Sequence, residues 1–131
     1  MEERVEIVRA LLEMFKRREH ETPFAFYAKD IVWTVEAYTS VGVAGTYEGH
    51  DGIRTFWRSW LEAWEDIQWE YEVFSRGDDA VALITNQRNL GRGSGLWVEQ
   101  EPYELTFSFR GNQVIAINMR MLPGDAPSGS P

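Results

Sequence analysis

The 131-residue chain carries 13 Lys and Arg against 21 Asp and Glu, a formal charge of −8, with 44% hydrophobic and 14% aromatic residues and no cysteine. That length supports one domain with a single sizeable core, and the composition excludes a disordered or solvating protein. The charge argues against nucleic acid and anionic membrane as partners, and the lack of cysteine removes disulfides, thiol nucleophiles and cysteine-ligated metals.

In chain order, Met1-Glu2-Glu3-Arg4 carries no apolar signal run, so a cytoplasmic domain is expected. Val5, Val8, Leu11, Leu12 and Phe15 form one apolar stripe, which predicts an amphipathic first helix ending in the charged stretch from Lys16 to Glu21. Thr22-Pro23 reads as an N-cap followed by proline at the first helical position, opening a short second helix through Phe24, Phe26, Tyr27 and Ala28. Residues 30–35, β-branched and aromatic, predict the first strand. Residues 45–52 read as a strand end, a glycine turn and a helix start, with Asp51 placed to cap. Ile53, Phe56, Trp57, Trp60, Leu61 and Trp64 then recur at helical spacing on a third helix, roughly 51–64.

From residue 67 the period changes to two. Trp69, Tyr71 and Val73 alternate with Gln68, Glu70 and Glu72, and Arg76-Gly77-Asp78-Asp79 turns into a strand over 80–90. Gly91-Arg92-Gly93-Ser94-Gly95 connects to residues 96–101, and Pro102 marks a bulge or an edge because it has no N–H for the ladder. Tyr103, Leu105, Phe107 and Phe109 share one face of the next strand, and Ile115, Ile117, Met119 and Met121 one face of the last. Residues 1–122 thus make one α+β domain, three helices and an antiparallel meander, and the Pro-, Gly- and Ser-rich residues 123–131 a flexible tail.

At this point a family resemblance emerges. It is carried by Tyr27-Ala28-Lys29-Asp30-Ile31-Val32-Trp33, the run from Tyr47 to Trp57, Gly77-Asp78-Asp79-Ala80-Val81, Gly91–Gly95 with Val98-Glu99, and Phe109-Arg110-Gly111-Asn112-Gln113-Val114. Their order resembles the NTF2-like cone, most closely its SnoaL-like (ketosteroid-isomerase-like) branch. The resemblance implies a curved antiparallel sheet with three helices on its concave side, and homodimers formed sheet to sheet. It does not fix an activity, since the family includes cyclases, isomerases, dehydratases, hydrolases and proteins without catalysis.

Matching by residue removes two mechanisms. Steroid isomerases use an aspartate base, with a tyrosine and a protonated aspartic acid on the enolate oxygen. Val35 falls at the base, Leu105 at the acid, and Leu11 or Leu12 at the tyrosine, all hydrocarbons. The epoxide hydrolases of this fold need an Arg/Asp/Asp set, and residues 80–90 and 114–122 contain no aspartate. The same matching implies that Trp33, Val35, Ala82, Ile84, Asn86, Arg88, Phe107, Phe109, Ile117 and Met119 face inward, opposite Phe56, Trp57 and Trp60.

Within that set Trp33, Val35, Phe56, Trp57, Trp60, Asn86, Arg88, Phe107 and Met119 are the expected ligand-binding residues. Asn86 and Arg88 either orient a ligand oxygen or carboxylate, or serve the fold, Arg88 pairing with Glu99 or Glu101 and Asn86 with backbone. The direction of side chains along residues 80–90 decides whether they reach the pocket at all. Glu36 and Glu104 are expected to point outward, His50 to lie exposed in its turn, and His20 to lack a partner. Two distant histidines have no ligand spacing, so neither metal nor cofactor is expected. Trp69 and Trp97, with Tyr71, Val114 and Ala116, are expected on the outer sheet face as a dimer surface. The leading reading is a domain that binds a small apolar, aromatic or polyketide-like molecule in the cone. The alternatives are a cyclase, isomerase or dehydratase working by proton transfer, with Asn86, Arg88 and Tyr38 or Tyr47 polarising a carbonyl, and a structural homodimer without ligand.

Overall fold

In the computed structural model, which describes residues 2–35 and 45–122, the apolar stripe of the first helix is buried along its whole length. The expectations for Glu36, Tyr38 and the 123–131 tail lie outside the described residues. Helix α1 spans Glu2–Lys16. It ends with Arg18 in the left-handed region at φ 66, where the Arg18 N–H donates to the Phe15 carbonyl at 3.0 Å and the Glu19 N–H to that of Met14 at 2.9 Å. Those bonds complete a C-terminal cap of the kind glycine usually provides.

The expected second helix is a single 3₁₀ turn, Thr22–Phe26. Thr22 lies inside it instead of capping it, and Tyr27 and Ala28 already belong to strand β1, Tyr27–Val35, where both are buried. The need to bury those two apolar side chains in the sheet outweighs continuation of a short helix. Strand β2 (Gly45–Glu48) pairs antiparallel with β1 and leads directly into α2, Gly49–Ala63. Asp51 sits in the first turn of α2 without capping it, and bonds Arg54 on the surface at 3.3 Å. Glycine is required at two points here. Gly49 has φ +71, and a Cβ on Gly52 would approach the Tyr47 carbonyl carbon to 3.0 Å.

Helix α2 passes without a loop into β3, Trp64–Arg76. The end of α2 is held by the glycine-rich turn further along. The Arg92 guanidinium donates to the carbonyls of Leu61 at 2.9 Å and Trp64 at 3.2 Å, and its backbone N–H to that of Ala63 at 3.0 Å. Strands β4 (Asp79–Gly91), β5 (Trp97–Gln100), β6 (Tyr103–Arg110) and β7 (Gln113–Met121) complete an open, curved seven-stranded sheet of order β2-β1-β7-β6-β4-β3, with β5 paired to β4. The α+β class and the cone stand as expected. The pairing of β1 with β7 is parallel, unlike the rest. No hairpin joins those two strands, so no tight turn imposes the antiparallel direction.

Two bulges set which side chains face the helices. On β4, Glu70 pairs with Asn86 and Tyr71 with Ile84, so Thr85 is an extra residue. On β7, Ser108 pairs with Ala116 and Phe109 with Val114, so Ile115 is the extra one and Val114 turns into the core. The Thr85 bulge coincides with a change of neighbour, since residues 80–84 pair with β6 and residues 87–90 with β5. Glu101 and Pro102 form the break between β5 and β6. Both helices pack on one face of the sheet and enclose a core that includes Leu11, Ile31, Trp33, Ile53, Phe107 and Ile117.

Candidate ligand-binding cavity

Between α2, α1 and the inner sheet face lies a narrow cavity of about 40 Å³ with aromatic walls. Trp33 of β1 and Met119 of β7 form part of its floor, Phe15 comes from α1, and Phe56, Trp57 and Trp60 come from α2. Ile67 and Trp69 of β3 and Tyr103 and Leu105 of β6 complete the wall. Rings pack edge to face or stacked around it, with Trp33 on Phe56 at 4.5 Å and Phe15 on Trp57 at 4.9 Å. Trp60, Ile67 and Trp69 are half-buried and mark the open end. None of the described residues that line this cavity carries a carboxylate, an imidazole or a cationic side chain.

Five of the expected residues, Trp33, Phe56, Trp57, Trp60 and Met119, therefore meet at one cavity. Val35 and Phe107 are buried in the adjoining core. Asn86 and Arg88 do not reach it. The Thr85 bulge reverses the alternation of β4, so both lie on the outer face, in a polar groove with Gln68, Glu70 and Glu99. There Arg88 donates to Gln68 Oε1 at 3.0 Å and lies 4.6 Å over the Trp97 ring, in place of the expected pairing with Glu99 or Glu101. Trp69 and Tyr71, expected outside, face inward. Trp69 walls the cavity, and Tyr71 reaches Glu13 of α1 through its hydroxyl.

The reversal brings in two other polar side chains, Gln87 and Asn89, 2% and 0% exposed. Gln87 lies opposite Trp69, and Asn89 opposite Ile67. The Tyr103 hydroxyl donates to Gln87 Oε1, and Gln87 Nε2 donates to Asn89 Oδ1 at 3.0 Å. Burial raises the Tyr103 phenol well above its ordinary value, so it is a fixed proton donor to Gln87. Asn89 Nδ2 has no partner. Strict alternation hides this chain, since only the bulge turns Gln87 and Asn89 inward.

The remaining titratable candidates sit elsewhere. Glu104 is buried on the outer face between Arg76 and Arg120, at 3.1 and 3.2 Å, and the arginines, Arg76 foremost, hold its carboxyl below the usual range. His50 is half-buried in the first turn of α2, where Nε2 donates to the Tyr27 carbonyl at 3.2 Å and the ring stacks on Phe24. His20 does have a neighbour: its ring stacks on Trp57 at 4.2 Å, and burial with help from Arg18 lowers its pKa to about 4. Among the described residues no group of three His, Asp or Glu side chains comes together as a metal site.

Residues 8–117 match the sequence profile of the SnoaL-like domain. The chain belongs to the SnoaL-like family. No curated protein sequence matches it. Among solved structures, this SnoaL-like domain is similar to an NTF2-like protein of unknown function from Burkholderia pseudomallei, with TM-score 0.79 and 23% identity over 92% of each chain. It is also similar to TerC, crystallised with polyporic acid (TM-score 0.76, 18% identity, 91% of each chain). A proposed polyketide cyclase from Xanthomonas campestris pv. campestris gives TM-score 0.76 at 16% identity, over 90% of this chain and 89% of that one. At these identities the likeness carries the fold alone. No helix among the described residues is long and apolar enough to cross a membrane.

Proposed function

We propose that this SnoaL-like domain binds a small aromatic, polyketide-like molecule in the cavity between α2 and the sheet, and that it does so as a homodimer. The observation that carries the reading is the wall itself. Aromatic and aliphatic side chains supply nearly all of it, with one hydroxyl and the indole N–H groups as the polar atoms, the usual make-up of a site for an apolar ligand. About 40 Å³ is space for a few water molecules at most, so a ring-sized occupant displaces side chains at the open end. Trp60 is half-buried and can swing outward, and the unbranched Met119 on the floor can change rotamer to widen the space. The polyporic acid complex of TerC and the cyclase assignment of the Xanthomonas relative support an aromatic ligand class.

The catalytic alternative, proton transfer in a cyclase, isomerase or dehydratase, needs a base beside the ligand. Among the described residues the wall offers only the Tyr103 phenol, which is held protonated, so the binding reading is favoured. A purely structural dimer would be favoured by a cavity that accepts nothing.

Titration with tetralin and 1-tetralone, two bicyclic aromatic probes, separates these. Saturable shifts of the Trp57 and Trp60 indole ring C–H signals are expected. Trp60→Ala should weaken binding about tenfold or more through lost apolar contact. If neither probe binds up to its solubility limit, the reading is wrong.

A further inference from the structure

We infer that the indole N–H groups of Trp33, Trp57 and Trp69 are hydrogen-bond donors to the ligand, and that the cavity selects neutral molecules bearing acceptor atoms. This rests on the cavity reading above. All three tryptophans wall the cavity, and each carries a buried N–H without a partner among the described residues. Trp33 is 3% and Trp57 8% exposed, while Trp69 is half-buried at the open end. Buried N–H groups are nearly always paired in folded proteins, so three unpaired ones around one cavity are a local deficit that acceptor oxygens would relieve.

The wall is poor in the opposite kind of atom. Tyr103 contributes its only side-chain oxygen, and that proton is committed to Gln87. Behind it Gln87 donates onward to Asn89, whose Nδ2 is a fourth buried donor without a partner. Among the described residues that line the cavity, and in Gln87 and Asn89 behind them, every buried side-chain polar atom without a partner is therefore an N–H. A ligand rich in hydroxyl donors finds few acceptors here. A carboxylate would lose its water with no cation on the wall, and an ammonium would lose its water with no anion. Aryl ketones, quinones and esters fit, with ring faces against tryptophan and oxygens on the indole edges.

The test compares tetralin, 1-tetralone and the 1,2,3,4-tetrahydro-1-naphthoate anion on the ¹⁵N-labelled full chain. 1-Tetralone should bind about 3–10-fold tighter than tetralin, the worth of a net hydrogen bond, and the anion should not bind. At least one of the Trp33, Trp57 and Trp69 indole N–H resonances should move downfield with the ketone and stay in place with the hydrocarbon. Replacing that residue by Phe keeps a ring, removes the N–H and should bring the ketone-to-hydrocarbon preference towards one. Should Trp33→Phe or Trp57→Phe fail to fold, the N–H shifts of the wild-type chain still decide, and Trp69→Phe at the half-buried position gives the variant. Equal binding of tetralin and 1-tetralone without N–H shifts overturns the donor assignment and leaves the cavity reading standing. Binding of the anion as tight as the ketone also overturns it. Failure of every probe overturns both.

Discussion

His20 lies on Trp57 with both ring nitrogens buried and without partners, in a cleft it shares with Arg18, Glu21, Arg54 and Arg58. Burial favours the neutral ring, so the folded chain takes up the His20 proton near pH 4 while the unfolded chain does so near 6.5. Between those values the unfolded state binds more protons. The contribution is therefore complete above pH 6.5 and lost progressively as pH falls towards 4. After allowing for partial exposure, the loss is on the order of 1–2 kcal/mol. Glu104 also loses a stabilising charge in acid, but only below the ordinary carboxylate range, because Arg76 and Arg120 depress its pKa. The interval from pH 6.5 to 5 thus separates His20 from Glu104, and the His20→Phe comparison separates it from His50. Thermal unfolding across that interval should show a falling Tm for the wild type and a flatter profile for His20→Phe, which keeps the stacked ring. Equal slopes would exclude His20 as the group responsible.

At the scale of the element, Thr85 decides what β4 presents to the helices. Its deletion would restore strict alternation and keep Gln87 and Asn89 inward, because Asn86 would then follow Ile84 directly and point outward. With the facing of every other side chain kept, a loss of no more than about 3 kcal/mol in urea unfolding is expected. Thr85→Gly, which keeps the residue count, should cost about 1 kcal/mol or less. A deletion variant that fails to fold would show that the inward set of β4 depends on the bulge itself. The bulge also explains how far the sequence could be read. The stripe of α1, the aromatic face of α2 and the order of strands are periodic signals, and periodicity is what burial imposes. Phe56, Trp57 and Trp60 followed from the helical period, and Trp33 and Met119 from the family matching. An extra residue in a strand leaves no mark on composition, so alternation carried past Thr85 named Asn86 and Arg88 where Gln87 and Asn89 belong. The same error at Ile115 put Val114 outside, and Trp69 and Tyr71 were misplaced because charged neighbours on β3 resemble either face of a sheet.

For the molecule as a whole, the outer face of the sheet is the surface on which a second copy would sit. Thr34, Asn118, Thr106 and Val81 follow one another across β1, β7, β6 and β4, beside the row of Leu83, Glu104 and Arg120. Short side chains and few charges leave that row flat enough for a sheet-to-sheet contact. Sedimentation at micromolar concentration should give twice the 15.2 kDa chain mass, and Thr106→Arg should return the single-chain species with its circular dichroism intact. A wild-type chain sedimenting only at 15.2 kDa would rule the dimer out. The Arg92 clasp on the end of α2 has a consequence of another kind, for the order in which the chain folds. Residues 61 and 92 are 31 positions apart, and the whole β3–β4 hairpin lies between them. The last turn of α2, which carries Trp60, therefore gains its final hydrogen bonds only after that hairpin has closed. Nascent chains would keep this edge of the cavity frayed until the sheet behind it exists.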